Sequence, residues 1–480
     1  MKERLELNVV LLINDQHAHD VLACAGFGRL QTPVADRLAA EGVRFTQATC
    51  AVTPCLPSRH SIFHGLYPCQ SGIYTNGDCM PVDRIPGFTM AKTFRNAGFQ
   101  TAAFGKMHWF PYQAAVERGS YFGFESRAAH FHETGEKMST HFVKEHRDQA
   151  ERRLEEWKTH GIGKGGDDCA AAFMGFTSSL RNEERCDWWS AGQAASFIDE
   201  QADRPFLLVC SLIGPHAPHD VPIDFAGLYD PECAPMPPEW PDDLPDADAY
   251  DRFGGLSRDD LRTAITNYMA YVSATDACHA RVIDALERNG LYEDTMVIYM
   301  SDHGELLGSR GTSAFSKYNL YERAIRTPLI VKLPGPPRTA TSGTSNDSLV
   351  SLVDILPTVL DVAGLPIDGQ LAGISLKPAL EGGAPERERQ IVFTEFAREG
   401  MVHLSIREPA WKVILGPYGE ELYHLLDDPW ELCNLAGLPE FLGKKEELKS
   451  KFIDEYRHVF SRQGNLARHY NRQDWSTLSL

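Results

Sequence analysis

Short apolar runs recur along this chain and constrain its fold more than any other feature: Asn8 to Ile13, Thr101 to Phe104, Phe206 to Ser211, Met296 to Met300 and Leu329 to Leu333. Helical patterns stand between them, and Thr32-Pro33 followed by Val34 to Glu41 reads as a capped helix start. Strands alternating with helices are the βαβ rhythm of a mostly parallel sheet covered on both faces, so the fold class expected is α/β. The first, third and fourth runs end in polar clusters. Ligands of open α/β sheets bind at the carboxyl ends of strands, which makes those clusters the place to look for chemistry. Beyond Val350, Leu352 to Ala363 reads as a helix that closes the main sheet, and Gln390 onward as a smaller α+β region. The expected division is a catalytic α/β domain over 1–385 and a C-terminal region with a tail over 386–480. The charged, His- and Gly-rich stretch 128–189 reads as an insertion with helical parts rather than core sheet. Residues 231–251, rich in Pro and Asp, read as a long surface loop.

Composition removes several classes of function. Of 480 residues 43% are hydrophobic and 24% charged, enough to bury a substantial core and too few charges for disorder. A formal net charge of −19 argues against nucleic acid or an anionic membrane as partner, so any anionic substrate must be captured by local cations. No stretch approaches the ~20 apolar residues of a membrane helix. The charged start Met1 to Leu7 and the short run Val9 to Ile13 do not resemble a signal peptide. The 11 cysteines lack C-x-x-C pairs and suit a reducing compartment. The expectation is a cytoplasmic protein.

One cysteine stands apart. Cys55-Leu56-Pro57-Ser58-Arg59 matches a C-x-P-S-R string, and five further clusters accompany it: Asn14-Asp15-Gln16, Gly105-Lys106-Met107-His108, Pro215-His216-Ala217-Pro218-His219, Ser301-Asp302-His303-Gly304-Glu305, and Lys317 within Phe315-Ser316-Lys317-Tyr318. Two acidic oxygens with amide or imidazole donors at strand ends suit a divalent ion. Lys106, Arg59 and Lys317 add cations to these clusters. Near the C-terminus, Glu421 to Leu435 carries alternating apolar positions that turn at Asp428-Pro429, a strand-to-turn pattern without chemistry of its own.

In order and residue type, these clusters resemble the type I sulfatases of the alkaline phosphatase superfamily, and the resemblance covers most of the chain. It implies an alkaline-phosphatase-like fold, hydrolysis of a sulfate ester, and oxidation of Cys55 to formylglycine by a maturation enzyme. The hydrate of that aldehyde carries one hydroxyl to attack sulfur and a second that lets the aldehyde re-form. By the same resemblance, Asp15, Gln16, Asp302 and His303 hold one divalent metal together with residue 55, the modified Cys55. Arg59 and Lys106 steady the hydrate, His108 takes its proton, and His216 and Lys317 hold sulfate oxygens and assist the leaving group. Lys317 is the weaker assignment of the two lysines, and His219 could be a surface histidine. Many sulfatases have Asp-Asp and Asp-Asn where this chain has Asp15-Gln16 and Asp302-His303. The present choices resemble choline sulfatases and phosphonate monoester hydrolases, soften the site toward Mn²⁺ over Ca²⁺ or Mg²⁺, and keep a phosphonate or phosphodiester substrate as the alternative. A scaffold without catalysis is disfavoured, because so many polar groups at strand ends are costly to retain without use. The partners implied are a small anionic sulfate ester and the maturation enzyme, with the tail Leu466 to Leu480 a candidate for packing on a second copy.

Overall fold

A computed structural model describes residues 7–461 other than 28, 79–88, 110–122, 131–140, 163–169, 202–203, 241–255, 311–314, 336–339, 386 and 418. Its main sheet has eight strands in the order β10 (Thr344–Ser351), β2 (Val43–Thr49), β9 (Leu329–Lys332), β8 (Thr295–Ser301), β1 (Asn8–Asn14), β6 (Phe206–Ser211), β3 (Gln100–Lys106) and β4 (Ser126–His130). All neighbours run parallel except at β9, which is antiparallel to both β8 and β2. The connection from β8 to β9 stays at the carboxyl end of the sheet, so Leu329 re-enters opposite Met300 and the strand must run backwards.

Side-chain alternation explains why the central runs look uniformly apolar. Every residue of β1, β6 and β8 is buried. Val9, Leu11 and Ile13 pack on one face with Met296, Ile298 and the helix Ile355–Val362. Val10 and Leu12 pack on the other with Leu208, Val297 and the helices Cys186–Gln201 and Arg258–Arg288. A strand covered on both sides has no polar face to reveal its period.

Ser126–His130 pairs in parallel with β3, as the sheet's edge strand. The stretch 128–189 therefore begins inside the main sheet and ends in a helix of its covering layer. An edge strand carrying Arg127 and His130 has no apolar run to announce it. Parts of that stretch, residues 241–251 of the Pro-rich loop, and the tail Leu466 to Leu480 lie outside the described residues. Among the described residues no helix is long and apolar enough to cross a membrane.

The C-terminal region is a four-stranded antiparallel sheet, β11 (Val392–Arg398), β12 (Met401–Arg407), β13 (Trp411–Gly416) and β14 (Gly419–His424), backed by the helix Leu442–Ser461. Phe393, Leu404, Ile406 and Val413 meet Leu448 and Phe452 across that interface. β14 runs into a turn in which the backbone N–H groups of Asp427 and Asp428 both donate to the His424 carbonyl, at 3.2 and 2.8 Å. A short parallel pair, β5 (Phe176–Thr177) and β7 (Asp220–Val221), completes the strands.

Glu395 of β11 ties this region to the segment around Cys55. Its backbone N–H donates to the Ala51 carbonyl at 2.9 Å, and its carboxyl accepts from the Cys69 N–H at 3.1 Å and the Tyr74 hydroxyl at 3.2 Å. Burial pushes that carboxyl up to about 8, against the donors that lower it. The native state thus keeps a proton there that the unfolded chain releases near pH 4 to 5, so stability falls as pH rises from that range through about 8 and is flat above. Glu395→Gln should remove this dependence. The melting temperature of the variant should exceed that of the wild type at pH 8.5 and match it at pH 4.5, each unit of the displacement being worth about 1.4 kcal/mol; parallel melting curves across that range would contradict the assignment.

Candidate active site

Parallel pairing of β1 with β8 sets Asn14 beside Ser301, so the residues that follow, Asp15 and Asp302, emerge next to each other although nearly the whole domain separates them in sequence. The Gln16 N–H donates to Asp302 Oδ1 at 3.2 Å. On the other side β6 ends at Ser211, and the Asp15 N–H donates to the carbonyl of Gly214 at 3.3 Å. Three strand ends and their loops thus form one floor.

Above it sits the helix Cys55–His64, every residue of which is buried. Cys55 opens the helix, and Arg59 follows one turn later on the same face. Cys55 Sγ lies 3.1 Å from His303 Nε2, 3.5 Å from Asp15 Oδ1 and 3.9 Å from Lys106 Nζ. Arg59 spends its whole fork on the floor: Nε donates to Asp302 Oδ2 at 2.8 Å, Nη1 to the Lys106 carbonyl at 2.7 Å and to Ser211 Oγ at 2.8 Å, and Nη2 reaches Asp15 Oδ2 at 3.5 Å. Lys106, at the end of β3, pairs with the same Asp15 oxygen. Burial would raise the Asp15 carboxyl, but the cations Lys106 and Arg59 hold it well below the usual carboxylate range.

Asp15, Cys55, Asp302 and His303 bring ligand atoms within 4.8 Å of one another. His303 Nδ1 faces the Gly304 carbonyl at 3.0 Å, an acceptor only, so that nitrogen carries the proton and Nε2 is turned into the cluster. Burial alone would lower this imidazole, yet Asp302, Cys55 and Asp15 raise it to about 9. Two buried carboxylates facing Nε2 favour positive charge there, carried by a proton on the imidazole alone or by a divalent metal in its place, an ion the donor set suits.

Comparison with known proteins gives the family. Residues 7–365 match the family model described as Sulfatase. The chain belongs to the sulfatase family. That family of sulfuric ester hydrolases lies within the alkaline phosphatase superfamily. Residues 311–458 also match the C-terminal region of N-sulphoglucosamine sulphohydrolase. Among curated relatives, an ulvan-active sulfatase of Formosa agariphila is 26% identical over 92% of this chain and 80% of its own length, and a choline-sulfatase of Rhizobium meliloti is 28% identical over 90% and 83%. The phosphonate monoester hydrolase of Agrobacterium radiobacter superimposes with a TM-score of 0.76 at 24% identity, covering 94% of this chain and 96% of the other, a likeness of fold.

The second half of the candidate site is a chain of polar contacts leading away from Cys55. Gln16, with a φ of 60°, turns its side chain so that Oε1 accepts from Lys317 Nζ at 2.9 Å while Nε2 donates to Glu305. Lys317 also meets His216 Nε2. His216 Nδ1 lies 2.6 Å from the Ala217 carbonyl, so it carries the proton and Nε2 is the acceptor facing Lys317. Burial and then Lys317 keep His216 well below its ordinary value, and burial, Lys106 and Arg59 do the same to His108, so both rings are neutral. Lys317 is only 3% exposed, so the weaker of the two lysine assignments is as enclosed as the stronger. His219 is no surface residue: it is fully buried, with Nδ1 2.8 Å from the Phe173 carbonyl.

Two acids that shape the candidate site were not assigned roles from the sequence. Asp187 accepts from the N–H groups of Ile213 and Gly214 at 2.7 and 2.9 Å and so sets the turn that delivers His216. No motif surrounds it. Glu305 was visible in the run Ser301 to Glu305, where a carboxyl placed after a strand end was the only signal.

Arg59→Lys tests whether the fork organises the floor. A lysine keeps the charge but cannot engage both carboxylates, a carbonyl and a hydroxyl at once. Loss of roughly 3 kcal/mol in urea unfolding is expected, since buried carboxylates are left under-compensated; an unchanged midpoint and slope would show the fork to be dispensable.

Proposed function

We propose that this sulfatase cleaves sulfate esters with a formylglycine derived from Cys55, next to one divalent metal held by Asp15, Asp302, His303 and residue 55, with Gln16 Oε1 as a neutral further donor. The observation that carries the reading is the placement of Cys55 at a helix start, within reach of two carboxylates, an imidazole and a lysine in one buried cluster. What the aldehyde hydrate supplies is a nucleophilic hydroxyl and a second hydroxyl for its own release; what a bound ion such as Mn²⁺, Ca²⁺ or Mg²⁺ supplies is polarisation of the sulfate oxygens and acidification of that hydroxyl.

The chain's own groups do the rest. Arg59 holds Asp15 and Asp302 in place for the metal and fixes the Lys106 backbone, and Lys106 Nζ steadies the hydroxyls of residue 55. His108, neutral and buried, accepts the proton when the hydrate collapses. On the far side, the neutral His216 accepts from Lys317, which leaves the ammonium as the proton-bearing member of the pair. Lys317 therefore faces the bridging oxygen of the ester and offsets its developing charge. The enzyme works in the cytoplasm and depends on a formylglycine-generating partner there. Phosphonate monoesters are the second reading, favoured by Gln16 and His303 in place of a carboxylate and an amide.

Cys55→Ala should abolish turnover with the melting temperature unchanged. Cys55→Ser, made in a host whose aerobic maturation system accepts only cysteine, should also be inactive, and the mass of the wild-type peptide should show exchange of thiol for aldehyde. Near-normal activity of the serine variant would contradict the aldehyde. For the substrate, kcat/KM on an aryl sulfate and an aryl phosphonate with the same leaving group separates the readings, because the shared leaving group cancels most binding differences. A higher value on the sulfate is expected; the opposite order would move the enzyme to the second reading.

A further inference from the structure

We infer that Glu305 is a positioning residue that sets which way the Gln16 amide points and thereby holds the Lys317 ammonium on the leaving-group side of the site; the inference rests on the role proposed for Lys317. Glu305 is fully buried, just past the end of β8. Its Oε1 accepts from the backbone N–H of Leu307 at 3.0 Å and of Ser316 at 3.1 Å, and its Oε2 accepts from Gln16 Nε2. Three donors converge on one side chain, and a carboxylate is the only group of this size that meets them with acceptors alone.

The consequence reaches Lys317 by two routes. Ser316 immediately precedes it, so the bond to Oε1 fixes the backbone from which the lysine departs. Gln16 has one oxygen and one NH2. Because the NH2 is committed to Glu305, the oxygen must face outward, where it accepts from Lys317 Nζ at 2.9 Å. Base and tip of the lysine thus depend on the same carboxyl.

A glutamine at 305 would have nearly the same shape with half the acceptors. If its oxygen stayed on Leu307 and Ser316, its NH2 would meet the NH2 of Gln16. Gln16 would then have to turn over and present donors to the Lys317 ammonium. If its oxygen stayed on Gln16, its NH2 would face two backbone N–H groups. Either arrangement leaves a buried donor without an acceptor. The polarity is restored only by exchanging both partners: a carboxylate at 16 accepts from the amide at 305 and from Lys317, while the amide oxygen at 305 still serves the two backbone donors.

The experiment is a four-way comparison of wild type, Glu305→Gln, Gln16→Glu and the double exchange, with Lys317→Ala as reference, at saturating Mn²⁺ on aryl sulfates of graded leaving-group acidity. Lys317→Ala should lose more kcat the poorer the leaving group. Glu305→Gln should show the same gradation, about tenfold or more on the poorest leaving group and much less on the best, a loss of the size expected for one general-acid contribution. The double exchange should return the wild-type gradation, whatever its absolute rate. A flat response of Glu305→Gln beside a graded Lys317→Ala, or a double variant as steep as the single, overturns the inference while leaving the role of Lys317 standing. A flat Lys317→Ala overturns both. If Glu305→Gln melts below the assay temperature, the double exchange carries the test: folding with wild-type gradation supports the inference, and failure to fold or a steep gradation sinks it.

Discussion

The structure depends on keeping two carboxylates, Asp15 and Asp302, buried side by side. Parallel pairing of β1 with β8 forces them together, and in a low-dielectric interior their repulsion would be severe without opposite charge. Arg59 contacts both, and Lys106 pairs with the same Asp15 oxygen that Arg59 reaches. Each cation comes from a different element, one from the helix that begins with Cys55 and one from the end of β3. Satisfying the carboxylates therefore also docks that helix on the sheet and brings residue 55 to the site. The cluster left over, with an imidazole raised to about 9, has the electrostatics of a metal centre.

The same logic divides the site into two halves of different character. Around Cys55 the groups are charged and mutually compensated. Toward His216 and Lys317 they are a relay of hydrogen bonds in which direction matters more than charge, from Glu305 through Gln16 to Lys317 and His216. Each loop of that relay is anchored by an acid that does not itself face the centre, Asp187 for the turn before His216 and Glu305 for the backbone before Lys317. Behind His219, Asp220 pairs with Arg153 and Arg185 and bonds to Trp157, a second buried network that holds the far end of the same loop. Sulfuryl transfer benefits from such rigidity, because donors already aimed at the developing charge need no reorganisation during the reaction.

Much of this was legible from local pattern. The central strands announced themselves because burial on both faces demands unbroken apolar runs, and the candidate site residues did because each follows such a run or sits in a short string of unusual composition. Solvation and direction were not legible. Lys317 read as the weaker lysine and His219 as a possible surface residue, yet both are enclosed, since burial of a lone polar side chain depends on what other segments cover it. The edge strand Ser126–His130 and the reversed direction of Leu329–Lys332 were hidden for a related reason: pairing and strand direction depend on where a connection returns to the sheet, which has no local signature.

By itself, then, the amino-acid sequence determined the central strands, the identity of the chemical groups and their association with strand ends, because periodicity and residue type are local properties. Only the tertiary structure decided that Asp15 and Asp302 share one cation, that Gln16 turns toward Lys317, and that Glu305 and Asp187 stand behind the reacting groups. Those are relations between segments far apart in the chain, selected by strand register and by the requirement that every buried donor and charge find its partner.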